Sequence, residues 1–183
     1  MTDIAWNLDE SDGELLIQTS VAGRGAKMGH RLTIAMDSWR AEVAWAAGQP
    51  TKVDLTVEVS SLRVVRGEGG VTPLSVPEKA LARSNALKTL DADRFPQIRF
   101  RADGVEQAGD GYRLTGTLEI HGTTRERVVD LRVDDLGHRW RMSGEATVRQ
   151  TEFGIKPYSM LMGSMKVVDT VTVSFAAERS KEA

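Results

Sequence analysis

Apolar and polar residues alternate with period two along most of this chain, the pattern of strands with one dry and one wet face. Glu14–Val21 opens the series, and His30–Met36 puts His30, Leu32, Ile34 and Met36 on one face. Trp39, Ala41, Val43 and Trp45 share the next face. In Lys52–Val59, Val53, Leu55, Val57 and Val59 alternate with Lys, Asp, Thr and Glu. The pattern resumes at Ile98, Phe100 and Ala102, then at Tyr112, Leu114, Gly116, Leu118 and Ile120. Arg125–Val133 and His138–Val148 continue it, with Trp140, Met142, Gly144, Ala146 and Val148 in phase, and Val171, Val173 and Phe175 finish. Turn residues at 48–50, 109–111 and 134–137 separate neighbouring runs and predict hairpins. Nine strands result, or eight if residues 30–46 form one long strand bent near Asp37-Ser38 by a bulge.

One segment breaks the pattern. In residues 77–90, Pro77 stands at a first helical turn with Glu78 beside it, and Ala80, Leu81, Ser84 and Leu87 recur at helical spacing. A single helix is predicted there, preceded by a flexible loop at Gly67–Gly70. The absence of βαβ alternation argues against a doubly wound fold. The fold class is therefore all-β and antiparallel, one domain over 1–183 with its core at about 14–178. Eight long strands either close into a barrel or stack as a sandwich. Leu55, Val57, Phe100, Leu118, Met142 and Phe175 face inward by phase. They line a lumen if the barrel is hollow and form the core if it is packed, and the pattern alone leaves both open. Aromatic residues are only 5% of the chain, so the interior is poor in bulky filler.

Composition narrows the function classes. With 24 basic and 26 acidic side chains the net charge is −2, which gives no general attraction to nucleic acid. The 183 residues include no cysteine, so disulfides, thiolate metal sites and cysteine nucleophiles are excluded. The N-terminus carries neither a basic region nor an apolar run of export-signal type, and no stretch is long enough to span a bilayer as a helix. A cytoplasmic location is the expectation.

Candidate chemistry is sparse. Residues 153–165 (FGIKPYSMLMGSM) form a soft, methionine-rich segment suited to touching a greasy ligand or to packing on a barrel end. Phe153 and Tyr158 would anchor it, with Met160 and Met162 between. His30, at a strand start, either meets a ligand head group or is a satisfied turn histidine. His121 and His138 lie at other strand ends, and the three histidines show no metal-ligand spacing. Trp39, Trp45 and Trp140 either line a tunnel or pack at the core and rim. Gly23–Gly29 precedes a strand-like segment and so reads as a hairpin connection, not a dinucleotide loop. No nucleophile–base–orienter set is visible, so neither an enzyme nor a cofactor is expected.

Five motifs carry a resemblance. They are Gly29–Leu32, Val57–Val64, Asp91–Phe100 (DADRFPQIRF), Gly116–Arg125 and Arg149–Lys156. In order and spacing they are similar to the YceI-like family. That resemblance implies an extended lipocalin-like antiparallel barrel holding a polyisoprenoid lipid, such as an isoprenoid quinone, for sequestration or transport. If such a ligand is held, the residues expected to line its site, from strand phase and the methionine-rich segment, are His30, Leu55, Val57, Phe100, Leu118, Trp140, Met142, Phe153, Tyr158, Met160, Met162 and Phe175. Many relatives are exported, and this chain departs from them in showing no leader. The rival reading is a packed barrel acting as an interaction or stress-related module without cargo, and a homodimer is open under either.

Overall fold

The computed structural model describes residues 4–181. Its first half contains β1 (Ile4–Asp9), β2 (Gly13–Gln18), the short β3 (Val21–Ala22), β4 (His30–Met36), β5 (Trp39–Ala46), β6 (Gln49–Glu58) and β7 (Leu62–Gly69). One helix, α1 (Val76–Thr89), follows. The second half contains β8 (Gln97–Ala108), β9 (Gly111–Ile120), β10 (Thr123–Asp135) and β11 (Arg139–Arg149). The short β12 (Ser159–Met160) and β13 (Met165–Val167) lead to β14 (Thr170–Ser180).

Eleven of these strands form one antiparallel sheet in the order β1-β5-β6-β8-β9-β10-β11-β14-β2-β4-β7. Eight strands are expected from the alternation, and the difference is one of interruption. β1 and β2 pair in turn with β5 and β4, so residues 4–18 run as one strand interrupted at 10–12. β5 and β4 pair with β6 and β7, so residues 30–46 and 49–69 are likewise continuous, each bent once. The bends coincide: Asp37 N–H donates to Ser61 O, and Glu58 N–H to Ser38 O. Counted as continuous runs, the eleven segments make eight. Pairing of β14 with β2, at Gly13 opposite Ala177, joins the last run to the first and completes the ring.

Two expectations need correction. Gly67–Gly69 is the end of β7, in ladder contact with β4 from His30 opposite Gly69, and not a loop. Ile4–Asp9 is a strand that the alternation of the opening residues carries only faintly. Gly23–Gly29 is a connection, as read, with one 3-10 turn at Ala26–Met28.

Helix α1 spans 76–89, one residue from the range expected. Ser75 caps it: Glu78 N–H donates to Ser75 Oγ at 3.3 Å and Ser75 N–H to Glu78 Oε1 at 3.2 Å, a reciprocal capping box. Hydrogen bonds from Ser75, side chain first and backbone second, hold the Glu78 carboxyl below its ordinary value. The helix lies along β7, beyond the part of that run that β8 covers. Its Arg83 donates to Leu62 O at 2.8 Å and Ser60 O at 2.6 Å, satisfying carbonyls of an otherwise open edge. Ser75→Ala is expected to cost about 1 kcal/mol, a melting-temperature loss of about 2–4 °C in a thermal unfolding scan.

Candidate functional site: an apolar lumen

Strand direction sorts the connections between two ends. The hairpins at 46–49, 108–111 and 135–139 lie at one end. The segments 18–30, 69–97, 120–123 and 149–170, including α1 and the small β12-β13-β3 sheet, lie at the other. A cavity of about 580 Å³ runs from this second end into the barrel.

Register explains its walls. Ala41 faces Leu55, Leu55 faces Phe100 and Phe100 faces Leu118, so four lining residues form one row across four strands. On the far side Ala146, Val173, Ile17 and Ile34 form a second such row. Both rows are aliphatic but for one phenylalanine, and small residues leave the middle unfilled. Polar groups gather at the mouth, and several are engaged with one another or with backbone. His30 Nε2 lies 2.7 Å from Thr72 O, which fixes the proton on that nitrogen. Asn85 Nδ2 donates to the Tyr158 hydroxyl at 3.1 Å, tying α1 to the methionine-rich segment. Leu32 N–H donates to Thr19 Oγ1 at 3.1 Å.

Of the residues singled out from sequence, His30, Leu55, Val57, Phe100, Leu118, Met142, Tyr158, Met160 and Phe175 line the cavity. Three do not. Trp140 is in phase with Met142 but lies past the far end of the lumen, with Lys181 Nζ 4.1 Å from its ring centroid. Phe153 is completely buried beside Ile120, Val148 and Ile155, and so closes part of the helix end without facing the cavity. Met162 is fully exposed, at a tip where it and Leu161 both take left-handed φ (56° and 54°). The other tryptophans pack: Trp39 sits edge-on to Phe175 at 5.3 Å, and Trp45 against Trp6 at 4.6 Å.

The helix end of the barrel is braced by residues to which the sequence pattern assigns no role. Asp169 accepts from Thr151 N–H at 2.8 Å and Thr151 Oγ1 at 2.6 Å, and its carboxyl is held below the ordinary value, chiefly by the Thr151 hydroxyl. The clamp seats the turn that carries Phe153. Phe95 stacks on His121 at 4.7 Å and lies where a Cβ on Gly122 would fall, 2.7 Å from its Cε1. Two of the five sequence motifs thus meet at one tight hairpin. Helix α1 contributes Leu81, Asn85 and Ala86 to the lining, which its modest apolar stripe does not announce. Among the described residues, no three His, Asp or Glu side chains come together as a metal site would require.

A ring of antiparallel strands around an apolar, partly unfilled lumen with a helix across one end defines a lipocalin-like container. The model of the YceI-like domain matches residues 6–179, and the chain belongs to that family. It is generally a family of binding proteins, with a fold of the polyisoprenoid-binding type. Among solved structures, BcnA of Burkholderia cenocepacia superposes with a TM-score of 0.69 at 16% identity, covering 94% of this chain and 99% of that one. A YCEI protein of Campylobacter jejuni gives a TM-score of 0.59 at 16% identity, covering 82% and 85%. No curated protein matches. Among the described residues no helix is long and apolar enough to cross a membrane.

Proposed function

We propose that this protein binds a long isoprenoid lipid, or an isoprenoid quinone, in its lumen and carries or sequesters it without chemical change. The observation that carries this reading is the cavity itself. Its volume of about 580 Å³ lies within the roughly 300–1,000 Å³ of small-molecule sites. Its lining is almost wholly aliphatic. An empty cavity of this kind forfeits dispersion contacts, and each buried methylene of a guest returns about 0.8 kcal/mol before ordering costs. A chain of isoprene units suits this predominantly apolar lining.

The packed-module alternative requires a filled interior, and the interior is not filled. Exposed apolar side chains do occur; Val71, Leu81, Leu161 and Met162 lie at the mouth end and so suit cargo exchange as well, while Val128 and Leu136 lie elsewhere. Solvent extraction of the purified protein followed by mass spectrometry is expected to yield a prenyl lipid. No co-purifying lipid, together with no uptake of added prenyl alcohol or quinone, would refute the reading.

A further inference from the structure

The barrel wall is not continuous. β10 and β11 pair only from Leu131 opposite Gly144 to Asp135 opposite Trp140. Beyond Leu131, β10 runs back through residues 123–130 in ladder contact with β9 alone. Beyond Gly144, β11 runs on through residues 145–149 in ladder contact with β14 alone. The two strands therefore diverge toward the helix end, and a slit opens between them into the lumen. Val129, Ala146 and Val148 lie on its inner margins and line the cavity.

Two arginines stand on the inward phase of β10 along this slit, and one of them borders the lumen. Arg127 pairs with Gly116, between the lining residues Leu114 and Leu118 of β9, and itself lines the cavity. It is half-buried, and no hydrogen bond or ion pair within 4 Å engages its guanidinium among the described residues. Gly116 opposite it presents no side chain. Arg125, the next inward position on β10, donates Nε to Glu152 O at 2.9 Å and so brings a second positive charge without a carboxylate. The Glu152 carboxylate itself is 3.8 Å from Arg149. Glu145, across the slit, pairs with Ser174 on the alternate phase of β11 yet also borders the cavity, and no ion pair within 4 Å joins it to Arg127. Glu78, the other acid beside the cavity, is committed to its cap.

A half-buried guanidinium beside an apolar lumen, without a protein partner, is free to take an anion. We propose that the slit is a head-group site: Arg127 receives the single anionic head, carboxylate or phosphate monoester, of an amphiphile whose chain lies in the lumen. This inference rests on the lumen holding an apolar chain and adds the charge and position of the head. A planar guanidinium takes either anion through two parallel hydrogen bonds, whereas a neutral alcohol can offer only one acceptor.

The test compares hexadecanoic acid, hexadecyl phosphate and hexadecanol by titration calorimetry at neutral pH, on wild type, Arg127→Met and Arg127→Lys. Wild type is expected to bind one or both anions at least about tenfold more tightly than the alcohol, about 1.4 kcal/mol. Which anion is preferred separates a fatty acid from a phosphorylated lipid as the source. Arg127→Met is expected to abolish that preference while leaving hexadecanol binding unchanged, which also reports an intact lumen. Arg127→Lys is expected to keep part of the preference. Equal binding of anions and alcohol by wild type would overturn the head-group site and leave the lumen reading standing, as would a preference that survives Arg127→Met. Failure of all three ligands and of prenyl alcohol to bind would overturn both.

Discussion

Replacing Phe153 with alanine is expected to lower stability by about 3–5 kcal/mol, the range for emptying a fully buried phenylalanine site. For a chain of this size that is a fall of about 6–20 °C in melting temperature. Phe153 has no exposed surface, and it packs with Ile120, Val148 and Ile155 from three different parts of the chain. The turn that presents it passes through Gly154, at φ 71°, and is pinned by the Thr151–Asp169 hydrogen bonds. With its backbone fixed in this way the site cannot collapse, which places the cost toward the upper end. Chemical denaturation monitored by tryptophan fluorescence checks it, and a loss below about 1 kcal/mol would mean the end of the barrel repacks freely.

Filling the lumen is expected to have the opposite profile, with stability kept and binding lost. Leu55 and Leu118 flank Phe100 in a single row across the cavity. In the double variant Leu55→Trp/Leu118→Trp two indoles enter the space a guest chain would occupy. Overpacking a dense core costs about 1–3 kcal/mol, and here the added volume meets unfilled space. The variant should therefore melt within that margin of wild type. Lipid recovered by extraction should fall by at least about tenfold, about 1.4 kcal/mol of binding free energy. Undiminished lipid in a folded variant would place the guest outside the barrel.

The two variants probe parts of the protein that were unequally legible in its sequence. Period-two alternation exposes the strands because each has one face toward the lumen and one toward water. For the same reason phase alone puts Leu55, Phe100 and Leu118 on the inner wall. Phase does not say how deep a residue lies. Trp140 has the inward phase of Met142 but stands past the end of the cavity. Phe153 and Met162 belong to an irregular segment with no period, so one becomes a buried plug and the other a fully exposed tip. Leu62–Gly69 is strand despite its glycines, because pairing with β4 outweighs their local preference. Arg127 sits in a run with arginines or acids at four of its six positions from Arg125 to Asp130, and only pairing with β9 shows which of them faces in. The slit leaves no trace in the sequence, since it is a ladder that stops while both strands continue.

The ring is fastened unevenly. Seven of its eight junctions join runs adjacent in the chain, four through tight hairpins or a bend and three through longer segments, and each closes a smaller loop than the eighth. The eighth, where Gly13–Gln18 of β2 meets Thr172–Ala177 of β14, joins the first run of the barrel to the last. Its closure cost is the largest, because nearly the whole chain forms the loop. Of the eight junctions this seam is therefore the one that loop-closure entropy favours least. A tag or truncation that intrudes on either terminal strand acts on the one joint that turns an open sheet into a container.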